Sequence, residues 1–119
     1  MRDFRQLRVW EESHQLTLEI YKITKTFPKE EIFALTNQLR RASASIPSNI
    51  AEGCGRGSNK DYANFLQMAM GSAYEIDYQL ILARDLAYIN EENYKRISGK
   101  IDALKRQLAS LLQKVRNSS

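Results

Sequence analysis

Seven apolar residues near the C-terminus, Tyr94, Ile97, Ile101, Leu104, Leu108, Leu111 and Val115, follow one another at steps of 3 and 4. That spacing gathers them on one side of a helix and scatters them over both faces of a strand. A helix carrying so long an apolar seam cannot shield it alone, so the rest of the chain must supply helices to cover it. Lys95, Arg96, Lys100, Lys105, Arg106, Lys114 and Arg116 fall away from the seam. Asn90 is a suitable N-cap, and Glu91 and Glu92 suit a first turn, where the helix dipole favours negative charge. The spacing predicts a helix over about 91–116, with Asn117-Ser118-Ser119 as a frayed tail.

Three further segments show the same periodicity. Leu16, Ile20, Ile23 and Phe27 mark a helix over about 4–26, which Phe27-Pro28 ends because the residue before a proline is pushed out of helical geometry. Leu35, Leu39, Ala42, Ile46 and Ile50 mark a second over about 29–52, which Pro28 can open. Tyr62, Phe65, Leu66, Ala69, Ala73, Ile76, Leu80, Ala83 and Ala87 mark a third over about 59–88. Ser58 is its N-cap, and Asp61 gives a capping box with a short acid. Met68, Met70, Tyr74, Tyr78 and Leu82 lie outside that third core face, a surplus that points to a second contact, with another subunit.

Pro47 interrupts the second pattern. A proline removes a backbone N–H and crowds the preceding turn, at a cost of about 3 kcal/mol in a helix interior. Ser43, Ser45, Ser48 and Asn49 surround it and could satisfy the freed carbonyls or cap a new segment. The pattern fits a helix bent there or one divided there. Gly53-Cys54-Gly55-Arg56-Gly57 then reads as a flexible turn, and only two prolines and five glycines occur in all 119 residues. The expected fold is all-α, an up-down-up-down antiparallel four-helix bundle formed by a single domain over 1–119.

Composition limits the chemistry. The single cysteine, Cys54, excludes an intrachain disulfide or a cysteine metal cluster. No apolar run is long enough to cross a membrane, and Met1-Arg2-Asp3-Phe4-Arg5 lacks the apolar core of a signal peptide, so a cytoplasmic protein is expected. Glu11-x-x-His14 has the spacing of a di-iron bundle ligand pair, but that centre needs two histidines and the chain has one. Gly53-x-Gly55-x-Gly57 follows a helix, whereas dinucleotide loops follow a strand. Cys54 has no histidine beside it in sequence. Glu75 and Asp77 point to different sides of their helix, and Glu52 is expected to pair with a basic residue such as Arg40 or Arg41, or with backbone at the helix end. No catalytic residue, metal or cofactor is expected.

The net charge of +4 leans toward an anionic partner. Arg40 and Arg41 are adjacent, so both cannot be buried in one bundle. Arg56 and Lys60 flank the start of the third helix, where backbone N–H groups favour phosphate. With Lys95, Arg96, Lys100, Lys105 and Arg106 they form the candidate nucleic-acid contacts. No aromatic interleaving accompanies the arginines, so backbone charge would lead any binding.

One stretch carries a resemblance. Leu7-x-Val9-Trp10-Glu11, Ile20-Tyr21, Phe27-Pro28, Gln38-Leu39-Arg40-Arg41-Ala42, Ser45-Ile46-Pro47-Ser48-Asn49-Ile50-Ala51-Glu52-Gly53, and Phe65-Leu66 with Gly71-Ser72 occur in order. Over residues 4 to 112 the chain resembles the four-helix-bundle proteins encoded within intervening sequences of 23S ribosomal RNA genes. That group is related to the accessory variability determinant of diversity-generating retroelements. The resemblance implies a bacterial, barrel-shaped homopentamer with a basic surface that binds RNA or DNA. Alternatively, it implies an oligomeric scaffold or accessory subunit that recruits a partner enzyme such as a reverse transcriptase. It supplies no catalytic residues.

Overall fold

The computed structural model describes residues 2–118; Met1 and Ser119 of the two terminal segments lie outside them. Four α-helices follow in order: α1 (Arg8–Thr24), α2 (Leu35–Cys54), α3 (Asn59–Asp85) and α4 (Glu91–Asn117). Among the described residues there is no strand. Sequential helices are neighbours, α1 and α4 close the ring, and the backbones of the diagonal pairs stay apart. The particle measures 45 × 23 × 20 Å, which matches 27-residue helices rising about 1.5 Å per residue laid side by side. This is the expected bundle.

One apolar core runs its length. Ile20, Leu39, Ile46, Ile50, Leu66, Ile76, Ile97, Ile101 and Leu108 are fully buried in it. On α4 the buried seam ends in Leu112 and Val115, while Leu111 is half-buried. The strict heptad expectation fails there because 3.6 residues per turn drift from a 3.5 repeat. On α3 Phe65 is half-buried, and Met70 and Leu82 pack against the core edge.

The helix ends differ from the expected bounds for local reasons. Residues Phe4–Gln6 form a 3-10 turn, and extended Leu7 separates it from α1. Lys29–Glu31 form a second 3-10 turn after Pro28, and α2 starts only at Leu35. Glu31 serves that start, its Oε1 accepting from the Leu35 N–H at 3.2 Å, while the Tyr88 hydroxyl donates to its other oxygen at 2.8 Å. The first two helices are thus joined by a ten-residue crossing segment, where a tight turn was expected. α3 stops at Asp85 because Ala87 adopts a left-handed φ of 64°. Tyr88 N–H donates to Ala83 O and Ala87 N–H to Arg84 O, both at 2.9 Å. These two bonds define a Schellman stop, with alanine where glycine is usual. Ala87 is therefore exposed, not a core residue. The N-caps Ser58 and Asn90 are as expected, accepting from Asp61 N at 3.1 Å and Asn93 N at 2.8 Å.

Pro47 neither ends nor divides α2, which runs through it unbroken. Gly53 and Cys54 are the last residues of that helix and not part of the turn. A Cβ on Gly53 would lie 2.9 Å from both Phe65 Cβ and Tyr62 Cδ1. The glycine is required by the close approach of α2 to α3.

Candidate nucleic-acid interface

The expected cations divide into two groups. Five are engaged within the molecule. Arg40 is half-buried; its Nε donates to Thr24 Oγ1 at 2.8 Å and its guanidinium lies 5.1 Å from the Tyr21 ring centre. It ties α2 to α1. Arg56 pairs with Glu52 one turn back at 2.7 Å and covers the Phe65 ring at 4.6 Å. Glu52 thus takes a basic residue as partner, and that residue is Arg56, not Arg40 or Arg41. Arg96 and Lys100 both reach Glu19 of α1, the lysine at 2.8 Å. Lys105 reaches Asp77 of α3 and sits 4.0 Å above the Tyr74 ring.

The other four, Arg41, Lys60, Lys95 and Arg106, are exposed. None of them has an acidic partner within salt-bridge distance among the described residues. Arg41 opens onto a cleft of about 370 Å³ between α2 and α3, with Ser45 and Glu75 beside it. Lys95 and Arg106 are 11 residues apart, about three helical turns, so they share one stripe on the outer side of α4. Arg106 also borders a shallow cleft with Met70, Tyr74 and Lys105. The structure therefore brings an aromatic ring to the basic face, which sequence spacing does not reveal. Tyr74 and Lys105 are 31 residues apart and meet only because α3 and α4 pack antiparallel.

The α1–α4 seam is the loosest in the bundle. It is crossed by polar bridges: Glu19 to Arg96 and Lys100, and Glu12 to Gln107. A cleft of about 610 Å³ runs along it, lined by Leu18, Glu19, Lys22, Ile23, Arg96 and Lys100. Hydrogen bonds from Gln107 and then Arg8 hold the Glu12 carboxyl below the usual carboxylate range.

The remaining candidates have local structural partners. His14 stacks on Trp10 with ring centres 5.3 Å apart. Cys54 is buried in the last turn of α2, where a loop position was expected, with Sγ 3.8 Å from the Tyr62 hydroxyl. Burial pushes the Cys54 thiol pKa up, so the nucleophilic thiolate is disfavoured. Burial likewise raises the Tyr62 phenol. Glu75 accepts from Gln79 at 3.0 Å, and, as expected, Glu75 and Asp77 serve different neighbours. Among the described residues no group of three or more His, Cys, Asp or Glu is placed to hold a metal ion, and no helix is long and apolar enough to cross a membrane.

The fold has a known counterpart. A crystal structure of a protein of unknown function from the S23 ribosomal protein family of Bacteroides thetaiotaomicron is 28% identical, with a TM-score of 0.82, covering 88% of this chain and 95% of that one. Among curated proteins none matches the chain. The family model described as 23S rRNA-intervening sequence protein matches residues 5–110. With nearly the whole bundle inside that match, from the first 3-10 turn to the last turns of α4, this chain belongs to the 23S rRNA-intervening sequence protein family.

Proposed function

We propose that the protein is a non-enzymatic homo-oligomer that binds structured RNA or DNA through backbone phosphates, with five copies as the family resemblance implies. The observation that carries this reading is the set of exposed cations without acidic partners: Arg41, Lys60, Lys95 and Arg106. The net charge of +4 supports it, and repetition around a ring would multiply a modest field per chain. Lys60 adds the first turn of α3, whose free N–H groups suit phosphate. Arg40 and Arg56 act chiefly as packing residues, and Arg96, Lys100 and Lys105 chiefly as bridges between helices.

The test is a titration of labelled structured RNA at increasing salt. Binding should weaken steeply, and the double variant Arg41→Ala/Arg106→Ala should flatten the log–log slope, since each lost phosphate contact per chain removes about 0.7–0.9 from it. No binding at low salt overturns the reading. An accessory scaffold that recruits a partner enzyme is the second reading, favoured by Phe33, which is 92% exposed in the crossing segment.

A further inference from the structure

The cleft between α2 and α3 onto which Arg41 opens is amphoteric. It holds about 370 Å³ and is lined by Asn37, Gln38, Arg41, Ala42, Ser45 and Glu75. The Asn37 and Gln38 side-chain amides and the Arg41 guanidinium are exposed, and none of them is bonded to another group among the described residues. Arg41 and Glu75 share the cleft without closing an ion pair. The cleft therefore offers free donors and a free acceptor together.

Glu75 is held by a buried neighbour. Gln79, only 5% exposed, donates its Nε2 to Glu75 Oε2 at 3.0 Å, while its own Oε1 is buried without a partner among the described residues. A half-satisfied amide in a core costs stability, and what this one maintains is the orientation of the carboxylate. Glu75 Oε1 accepts no hydrogen bond among the described residues, and Oε2 keeps a second lone pair.

We infer that this cleft is the subsite for one unpaired guanine nucleotide of the bound nucleic acid: Glu75 accepts from N1–H and N2–H of the base, an Asn37 or Gln38 amide donates to O6, and Arg41 holds the phosphate. The inference rests on the nucleic-acid reading above and names what this cleft selects. A carboxylate only accepts, and it repels a phosphate placed against it. Unpaired bases are read on their Watson–Crick edges. On that edge guanine alone sets two donors side by side. Adenine places its amino group beside the N1 acceptor, cytosine places its own beside N3, and uracil flanks a single N–H with two carbonyls. Each of those three brings an acceptor against Glu75. Tyr78, one turn from Glu75 on the surface of α3 and 62% exposed, adds a ring on which a base can stack.

The probe is a labelled RNA hairpin whose loop carries one guanine among uracils, compared with the same hairpin carrying inosine or adenine at that place. The wild type should bind the guanine loop about tenfold more tightly than the adenine loop, within what one bidentate base contact supplies. Inosine, which lacks the 2-amino group, should fall between them. Glu75→Gln, at an exposed position, should remove the preference and leave the salt dependence unchanged, since no phosphate contact is lost. Gln79→Leu should lower the preference in a chain of unchanged helicity; a preference it leaves intact overturns Gln79 as the residue that positions Glu75. Equal binding to all three loops overturns the guanine subsite and leaves phosphate recognition standing. A preference that survives Glu75→Gln overturns this cleft as the reader. No binding to any hairpin at low salt overturns the nucleic-acid reading, and this subsite with it.

Discussion

The hydroxyl of Thr17, on α1, lies 2.9 Å from the backbone carbonyl of Ser43, on α2, and 3.0 Å from the Ser13 carbonyl of its own helix, so its one proton is shared between the two acceptors in the buried core. Ser43 is the residue four positions before Pro47, the carbonyl that a helical residue 47 would have bonded had it kept its N–H. The neighbouring polar side chains that sequence suggests for this role bond elsewhere. Ser43 Oγ donates to Arg40 O at 3.0 Å, Ser45 Oγ contacts Ala42 O and Ser72 Oγ, and Asn49 donates to Ser45 O at 2.8 Å. A different helix repairs the lesion, so α2 passes through a proline while its end stays docked on α3.

Thr17→Val keeps the shape of the side chain and removes the donor, leaving a buried carbonyl unsatisfied. The expected loss is about 1–2 kcal/mol of unfolding free energy, read from urea melts. With Pro47→Ala in the background, the residue 47 N–H can return to Ser43 O, and the cost of Thr17→Val should shrink by about 1 kcal/mol. An equal cost in both backgrounds would show that the Thr17 hydroxyl does not compensate for the proline.

Gly53→Ala should destabilise. A helix interior gains up to about 1 kcal/mol from alanine, but here the added methyl falls 2.9 Å from Phe65 Cβ, which is fixed to the α3 backbone. Overpacking of this kind costs about 1–3 kcal/mol. A lowered urea midpoint with an unchanged slope is the expected reading.

Ala87→Gly should do the reverse. The left-handed φ of 64° costs a Cβ-bearing residue, and glycine relieves it, for a gain of about 0.5–1 kcal/mol. A rise in the thermal midpoint checks this; a fall would mean that the Ala87 methyl packs favourably in the turn.

Acid should loosen the α1–α4 seam early. Gln107 and then Arg8 lower the Glu12 pKa in the folded state, so the folded chain binds this proton less readily than the unfolded chain. The resulting stability is present above the ordinary glutamate pKa and is lost as pH falls through the lowered folded value. Glu12→Gln should flatten the acid limb of the stability–pH curve. An acid limb identical to that of the wild type would place the loss at other carboxylates.

Much of this molecule follows from spacing alone. Seams at steps of 3 and 4, the caps Ser58 and Asn90, and the breakers Pro28 and Gly55–Gly57 are local properties, and local chemistry specifies four helices and their antiparallel order. Which cations remain available is not local. Arg96 and Lys100 are set apart from Lys95 by Glu19, some 80 residues earlier in the chain, and Tyr74 meets Lys105 only across a helix–helix contact. The carbonyl of Ser43 that Pro47 leaves without its helical donor meets the hydroxyl of Thr17, 26 residues earlier in the chain. Ion pairs, ring contacts and carbonyl repair all need two atoms within a few ångströms. The sequence determines the helices and which face each can bury, and only their packing decides which polar groups meet.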